Sequence, residues 1–82
     1  MRLDPHKSIS KVGGRYLLSS GDGKVYVLNE TAAFLWKNLQ GQDFDIKDVI
    51  VLLTEHFEID EESARHDSEI LMEIWQKHKL LL

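Results

Sequence analysis

The chain predicts an α+β domain in which a three-stranded antiparallel sheet is followed by three helices. Short runs rich in β-branched and aromatic residues, punctuated by glycine, fill the first third. Three later segments carry apolar residues at helical spacing, each opened by Asn or Asp in an N-cap position. The two halves meet between Lys24 and Gly41, KVYVLNETAAFLWKNLQG, where a strand runs directly into a helix cap. With no residue to spare at that junction, the strand and helix directions are fixed relative to each other.

Met1 to Ser8 is polar, holds the only proline and has no periodicity, so residues 1–8 are expected to be a mobile lead-in to a single domain over residues 9–82. Ile9 to Val12 is a short strand ended by Gly13-Gly14. Arg15 to Ser19 is a second, and Ser20-Gly21-Asp22-Gly23 supplies the turn into a third, Lys24 to Leu28. As the last strand of the meander, Lys24 to Leu28 lies at a sheet edge.

Asn29 can accept from an orphan N–H one turn into the first helix, and Glu30 suits the positive end of its dipole. Ala32, Leu35, Trp36 and Leu39 form its apolar stripe, and Gly41 is placed to take a left-handed conformation beyond its end. Val49 to Leu53 could be a buried strand on composition alone. Asp45 as a cap, the stripe Ile46, Val49, Ile50, Leu53 and Phe57, and a length of three turns make it the second helix.

Asp60-Glu61-Glu62 opens the third helix, which extends to about His78, roughly 27 Å at 1.5 Å per residue. At 100° per residue, Ala64, Ser68, Leu71 and Trp75 form the expected core stripe. Ile70 and Ile74 fall to one side and Met72 to the other. This apolar arc is wider than a helix on a small core needs, so one flank is free to line something else.

The 82 residues suffice for one small core, and 43% hydrophobic content argues against disorder. The absence of cysteine excludes disulfides, thiolate metal sites and cysteine nucleophiles, and fits a reducing cytosol. No apolar run approaches the roughly 20 residues of a membrane span, and MRLDPHKS lacks the apolar segment of a signal peptide. The net charge of −4 disfavours nucleic acid and anionic membrane surfaces as partners. A cytoplasmic location follows as the expectation.

Catalytic chemistry finds no support. His6, His56, His66 and His78 show no metal-ligand spacing, no serine sits in a nucleophile elbow, and Gly21-Asp22-Gly23 joins strands instead of opening a helix. Neither metal nor cofactor is expected. Two non-catalytic classes can be weighed on the residues themselves. A winged helix that reads DNA needs a basic recognition helix. Here Asp60, Glu61, Glu62, Asp67, Glu69 and Glu73 outweigh Arg65, Lys77 and Lys79 by three charges. A structural domain that dimerises through its edge strand is the second rival, with Lys24 only a modest guard against self-pairing.

The run Leu28-Asn29-Glu30-Thr31-Ala32-Ala33, then Trp36 and Gly41, resembles the LN-x-T-A…W…G signature of the pyrroloquinoline quinone biosynthesis protein D (PqqD-like) family. Ile46, Val49, Ile50, Leu53, Phe57, Asp67, Leu71, Trp75 and Leu80-Leu81 follow the same pattern, so the resemblance covers Arg15 to Leu82. Members serving the quinone pathway carry a Pro-Glu-Gly turn where this chain has Ser20-Gly21-Asp22-Gly23, which aligns it with the broader peptide-recognition group. The resemblance implies a small, winged-helix-like, non-catalytic domain. Such a domain binds the leader of a ribosomally made precursor peptide and presents it to a maturation enzyme, often a radical S-adenosylmethionine enzyme. The peptide would add as a strand beside the third strand and lie against the third helix. Carried onto this chain, Lys24, Val25, Tyr26, Val27 and Leu28 supply the ladder, Leu28 pointing into the core. Asp67, Ile70 and Ile74 line the groove, and Lys77 meets an acidic leader.

Overall fold

The computed structural model describes all 82 residues, Met1–Leu82. Strands β1 (Ser8–Val12), β2 (Arg15–Ser19) and β3 (Val25–Leu28) precede helices α1 (Glu30–Leu39), α2 (Ile46–His56) and α3 (Glu61–Lys77). The sheet is antiparallel in the order β1-β2-β3, giving the expected α+β fold with β3 at one edge. No helix is long and apolar enough to cross a membrane.

Local chemistry sets these boundaries. Gly13 and Gly14, at φ 58° and 80°, form the two-residue turn between β1 and β2, a backbone that costs glycine little. In the next turn Asp22 accepts from the Lys24 N–H and the Ser20 hydroxyl. These bonds, the hydroxyl foremost, hold its carboxyl below the usual carboxylate range. Asn29 Oδ1 accepts from the Ala32 N–H at 2.8 Å to cap α1. Asp45 and Asp48 exchange side-chain and backbone bonds in a capping box at the start of α2. Asp60 Oδ1 accepts from the Ser63 N–H at 2.7 Å to start α3.

The end of α3 closes differently. Lys79 lies at φ 59°, the left-handed region, and is the only residue other than glycine with positive φ. Its N–H donates to the Gln76 carbonyl, and the Leu80 N–H donates to the Trp75 carbonyl at 2.8 Å. This is a Schellman closure, completed by apolar contact between buried Leu80 and Trp75.

The core joins the inner sheet face (Leu18, Leu28) to all three helices, with Trp36 and Trp75 meeting edge-on at 5.2 Å near its centre. On α3 the buried set is Ala64, Ser68, Met72 and Trp75, so Met72 takes the core position expected for Leu71, which is half-buried. The two lie on opposite sides of the core axis on a helical wheel, and neighbouring packing decides between them. Rotating the stripe this way turns Ile70 and Ile74 outward.

Residues 1–8 are not a free lead-in. Leu3 is buried in the core and pairs with Leu81 as an antiparallel bridge. The Asp4 N–H donates to the Leu80 carbonyl, the Leu82 N–H to the Arg2 carbonyl, and the Phe44 N–H to the Met1 carbonyl. The contact joins the two ends of the chain, so no local periodicity announces it.

Candidate functional site

Hydrogen-bond alternation decides which backbone groups β3 leaves open. Ser20 N–H donates to the Lys24 carbonyl at 3.1 Å, and the register continues through Leu18 opposite Tyr26 and Tyr16 opposite Leu28. In an antiparallel ladder only every second residue faces its partner strand. Tyr26 and Leu28 therefore spend their N–H and C=O groups on β2, while those of Val25 and Val27 point away from it. The β1–β2 hairpin gives the same parity from its own end. Val12 opposite Arg15 closes the glycine turn, which again turns Tyr16 and Leu18 toward β3.

Of the five residues assigned to a ladder, then, Val25 and Val27 present two donors and two acceptors at the edge. Lys24 lies before the strand, with its N–H given to Asp22 and its carbonyl accepting from Ser20. Tyr26 and Leu28 turn their side chains to the inner face, where Leu28 is buried and Tyr26 half-buried. Val25 and Val27 project from the outer face, 55% and 65% exposed.

Beside this edge runs a groove floored by α3 and the start of α1. One depression of about 280 Å³ is lined by Tyr26, Leu28, Leu71, Ile74, Trp75 and His78 among others. A second, about 270 Å³, continues from it past Asn29, Thr31 and Ala32 to Asp67 and Ile70. The two share Asn29, Ala32, Leu71 and Ile74, so they form one trough. Ile70 and Ile74 remain 44% and 45% exposed on its wall. At the far end the His78 ring tilts against Tyr26, centroids 5.3 Å apart. The β1 edge leaves Ile9 and Lys11 backbone groups open by the same parity, yet no comparable trough borders it. A separate depression between α1 and α2, lined by Phe44, Val51 and Leu52 among others, shares no residue with the trough.

Asp67, Ile70 and Ile74 are thus brought to the trough together with Val27 and Leu28. Lys77 is exposed and lies outside its lining; His78, one residue on and 100° round the helix, takes the place at that end. Tyr26, Leu71, Asn29 and Ala32 also line it. Their signal was the turn count on α3 and the proximity of the α1 cap to β3. No group of three or more His, Asp or Glu side chains comes together in a metal-holding arrangement.

Comparison with known proteins gives a consistent picture. The sequence profile of coenzyme PQQ synthesis protein D (PqqD) matches residues 14–81. A solved structure described as lasso peptide synthetase B1 complexed with the leader peptide superposes with TM-score 0.79 at 27% identity, over 99% of this chain and 95% of that one. A second, TbiB1 in complex with the TbiA(beta) leader peptide, superposes with TM-score 0.79 at 12% identity, over 99% and 94%, a likeness of fold alone. No curated protein sequence matches. With its profile matched across strands and helices alike, the chain belongs to the PqqD family.

Proposed function

We propose that the protein is a non-catalytic adaptor that binds the leader of a ribosomally made precursor peptide and presents it to a separate maturation enzyme. The observation that carries this is the conjunction of an unpaired β3 edge with an apolar trough. Four outward backbone groups on Val25 and Val27 offer sequence-tolerant hydrogen bonds, and the trough over Ile70, Leu71 and Ile74 takes alternate side chains of the added strand. Similarity to a lasso peptide synthetase B1 solved with a leader peptide supports the same ligand class. A radical S-adenosylmethionine enzyme is the maturation partner that the family resemblance favours.

The test is an NMR titration with leader segments of short precursors encoded beside the gene. Amides of Val25–Leu28 and of Asp67–His78 should shift together and saturate. Shifts confined to other elements, or a concentration-dependent dimer that no leader dissociates, would overturn it.

A further inference from the structure

The trough is electrically polarised along its length. Asp67 stands at the end nearest Asn29 and the start of α1, where Glu30 is also exposed. His78 lines the other end, and Lys77 and Lys79, both exposed and outside the lining, flank it in the chain. Asp67, Glu30, Lys77 and Lys79 take part in no ion pair: the only two in the molecule are Lys7 with Asp4 and Arg65 with Glu61. Between the poles the wall is apolar, Ile70 and Ile74. We infer that the trough selects a peptide strand of matching polarity, a basic residue, two apolar residues and an acidic residue at alternate positions, in that order from the peptide's N-terminus. This rests on the peptide-binding reading above and names the ligand chemistry within it.

Direction follows from the strand. β3 runs from the His78 end of the trough, where Tyr26 touches that ring, to the Asp67 end, where Asn29 lies. An added strand pairs slightly better antiparallel, so its N-terminal end lies by Asp67 and its C-terminal end by His78. Spacing follows from the helix. Residues 67, 70, 74 and 78 rise by about 4.5, 6 and 6 Å at 1.5 Å per residue, while same-face residues of a strand are about 6.6 Å apart. Four same-face peptide side chains, i, i+2, i+4 and i+6, thus step along these four positions. The small cumulative mismatch of about 3 Å falls within the reach of a long basic side chain at the Asp67 end. A basic residue at i meets Asp67, apolar residues at i+2 and i+4 cover Ile70 and Ile74, and an acid at i+6 meets the Lys77–Lys79 end.

Two synthetic peptides of identical composition, capped at both ends, separate this from plain strand addition. One carries Lys-x-Val-x-Val-x-Glu and the other Glu-x-Val-x-Val-x-Lys, with Thr at x. At low salt the first should bind about tenfold more tightly, since each order either gains or opposes two exposed charge contacts. The preference should shrink as salt screens it. Asp67→Lys combined with Lys79→Glu leaves each end near neutral, since Glu30 and Lys77 remain, and should abolish it. Equal binding of both orders, with the same β3 and α3 amides shifting, overturns the polarity and leaves the groove standing. If neither peptide moves any of those amides at millimolar concentration, both the polarity and the groove fall.

Discussion

Ile74 and Trp36 separate binding from folding at the level of single side chains. Trp36 is 1% exposed and meets Trp75 edge-on, so Trp36→Ala removes a large buried surface and leaves a cavity, at a cost of about 3–5 kcal/mol. Ile74 keeps nearly half its surface in water, and Ile74→Ala should cost under about 1 kcal/mol while weakening leader binding several-fold. Chemical denaturation and the same peptide titration measure both; equal destabilisation by the two variants would place Ile74 in the core. Lys79 poses the opposite trade. It holds a left-handed backbone that suits glycine, so Lys79→Gly should raise stability by up to about 1 kcal/mol. The same change removes a positive charge next to the His78 end of the trough, and affinity for a peptide with an acidic C-terminal half should fall. A melting temperature that drops instead would mean the Lys79 side chain contributes more to the fold than its backbone costs. The histidine that lines this end sits one residue from Lys77, the position the family pattern suggested. A single helical step of 100° separates a groove residue from a solvated one, and spacing alone does not fix the phase to that accuracy.

For whole elements, the parity of β3 makes a sharper test than its composition. Val27 directs its N–H away from β2, so Val27→Pro removes a donor that the fold does not use, and edge strands tolerate such a proline. The variant should stay folded, with a melting temperature within a few degrees of the parent, yet lose strand addition. Tyr26→Pro deletes a ladder donor to β2 and should destabilise the sheet by about 1–3 kcal/mol, the cost of leaving its acceptor unpaired. Circular dichroism melts together with peptide titration decide it, and a Val27→Pro protein that binds leader normally would exclude β-augmentation at this edge. Much of this element structure was legible in the sequence because its signals are local. Asn29, Asp45 and Asp60 each cap the helix their position announces, and the Val49–Leu53 run resolves as helix once its stripe is counted. The core phase of α3 was not legible. Leu71 and Met72 lie on either side of the axis through Ala64, Ser68 and Trp75, and only the packing of α3 into the core selects Met72. The parity of β3 lay one step further off, since it depends on the turn bond between Ser20 and Lys24.

Across the whole molecule, the fold is tied together by contacts between distant parts of the chain. The left-handed Lys79 turns the last three leucines back toward the N-terminus, where Leu3 enters the core and the terminal segments pair. That closure depends in part on a carboxylate. Asp4 accepts from the His6 N–H at 2.9 Å and lies 3.5 Å from the Lys7 ammonium, and its carboxyl is held below the ordinary value of 3.8, the His6 bond being the largest cause. Asp22 in the β2–β3 turn and Asp60 at the start of α3 are lowered likewise, by the Ser20 hydroxyl and by the Ser63 N–H respectively. A carboxyl whose pKa is lower folded than unfolded binds its proton more weakly in the native state. Its contribution is therefore complete above the unfolded value and is lost as pH falls through the folded one. Stability should stay level from neutrality down to about pH 5 and decline below about pH 4. Protonating the other carboxylates also drives the net charge from −4 to strongly positive, and general repulsion steepens the same limb. The two causes separate by substitution. Asp60→Asn and Asp22→Asn keep an acceptor oxygen for the cap and the turn but cannot titrate. If the local bonds matter, the double variant loses less stability between pH 5 and pH 3 than the parent does. An unchanged slope would assign acid unfolding to net charge alone.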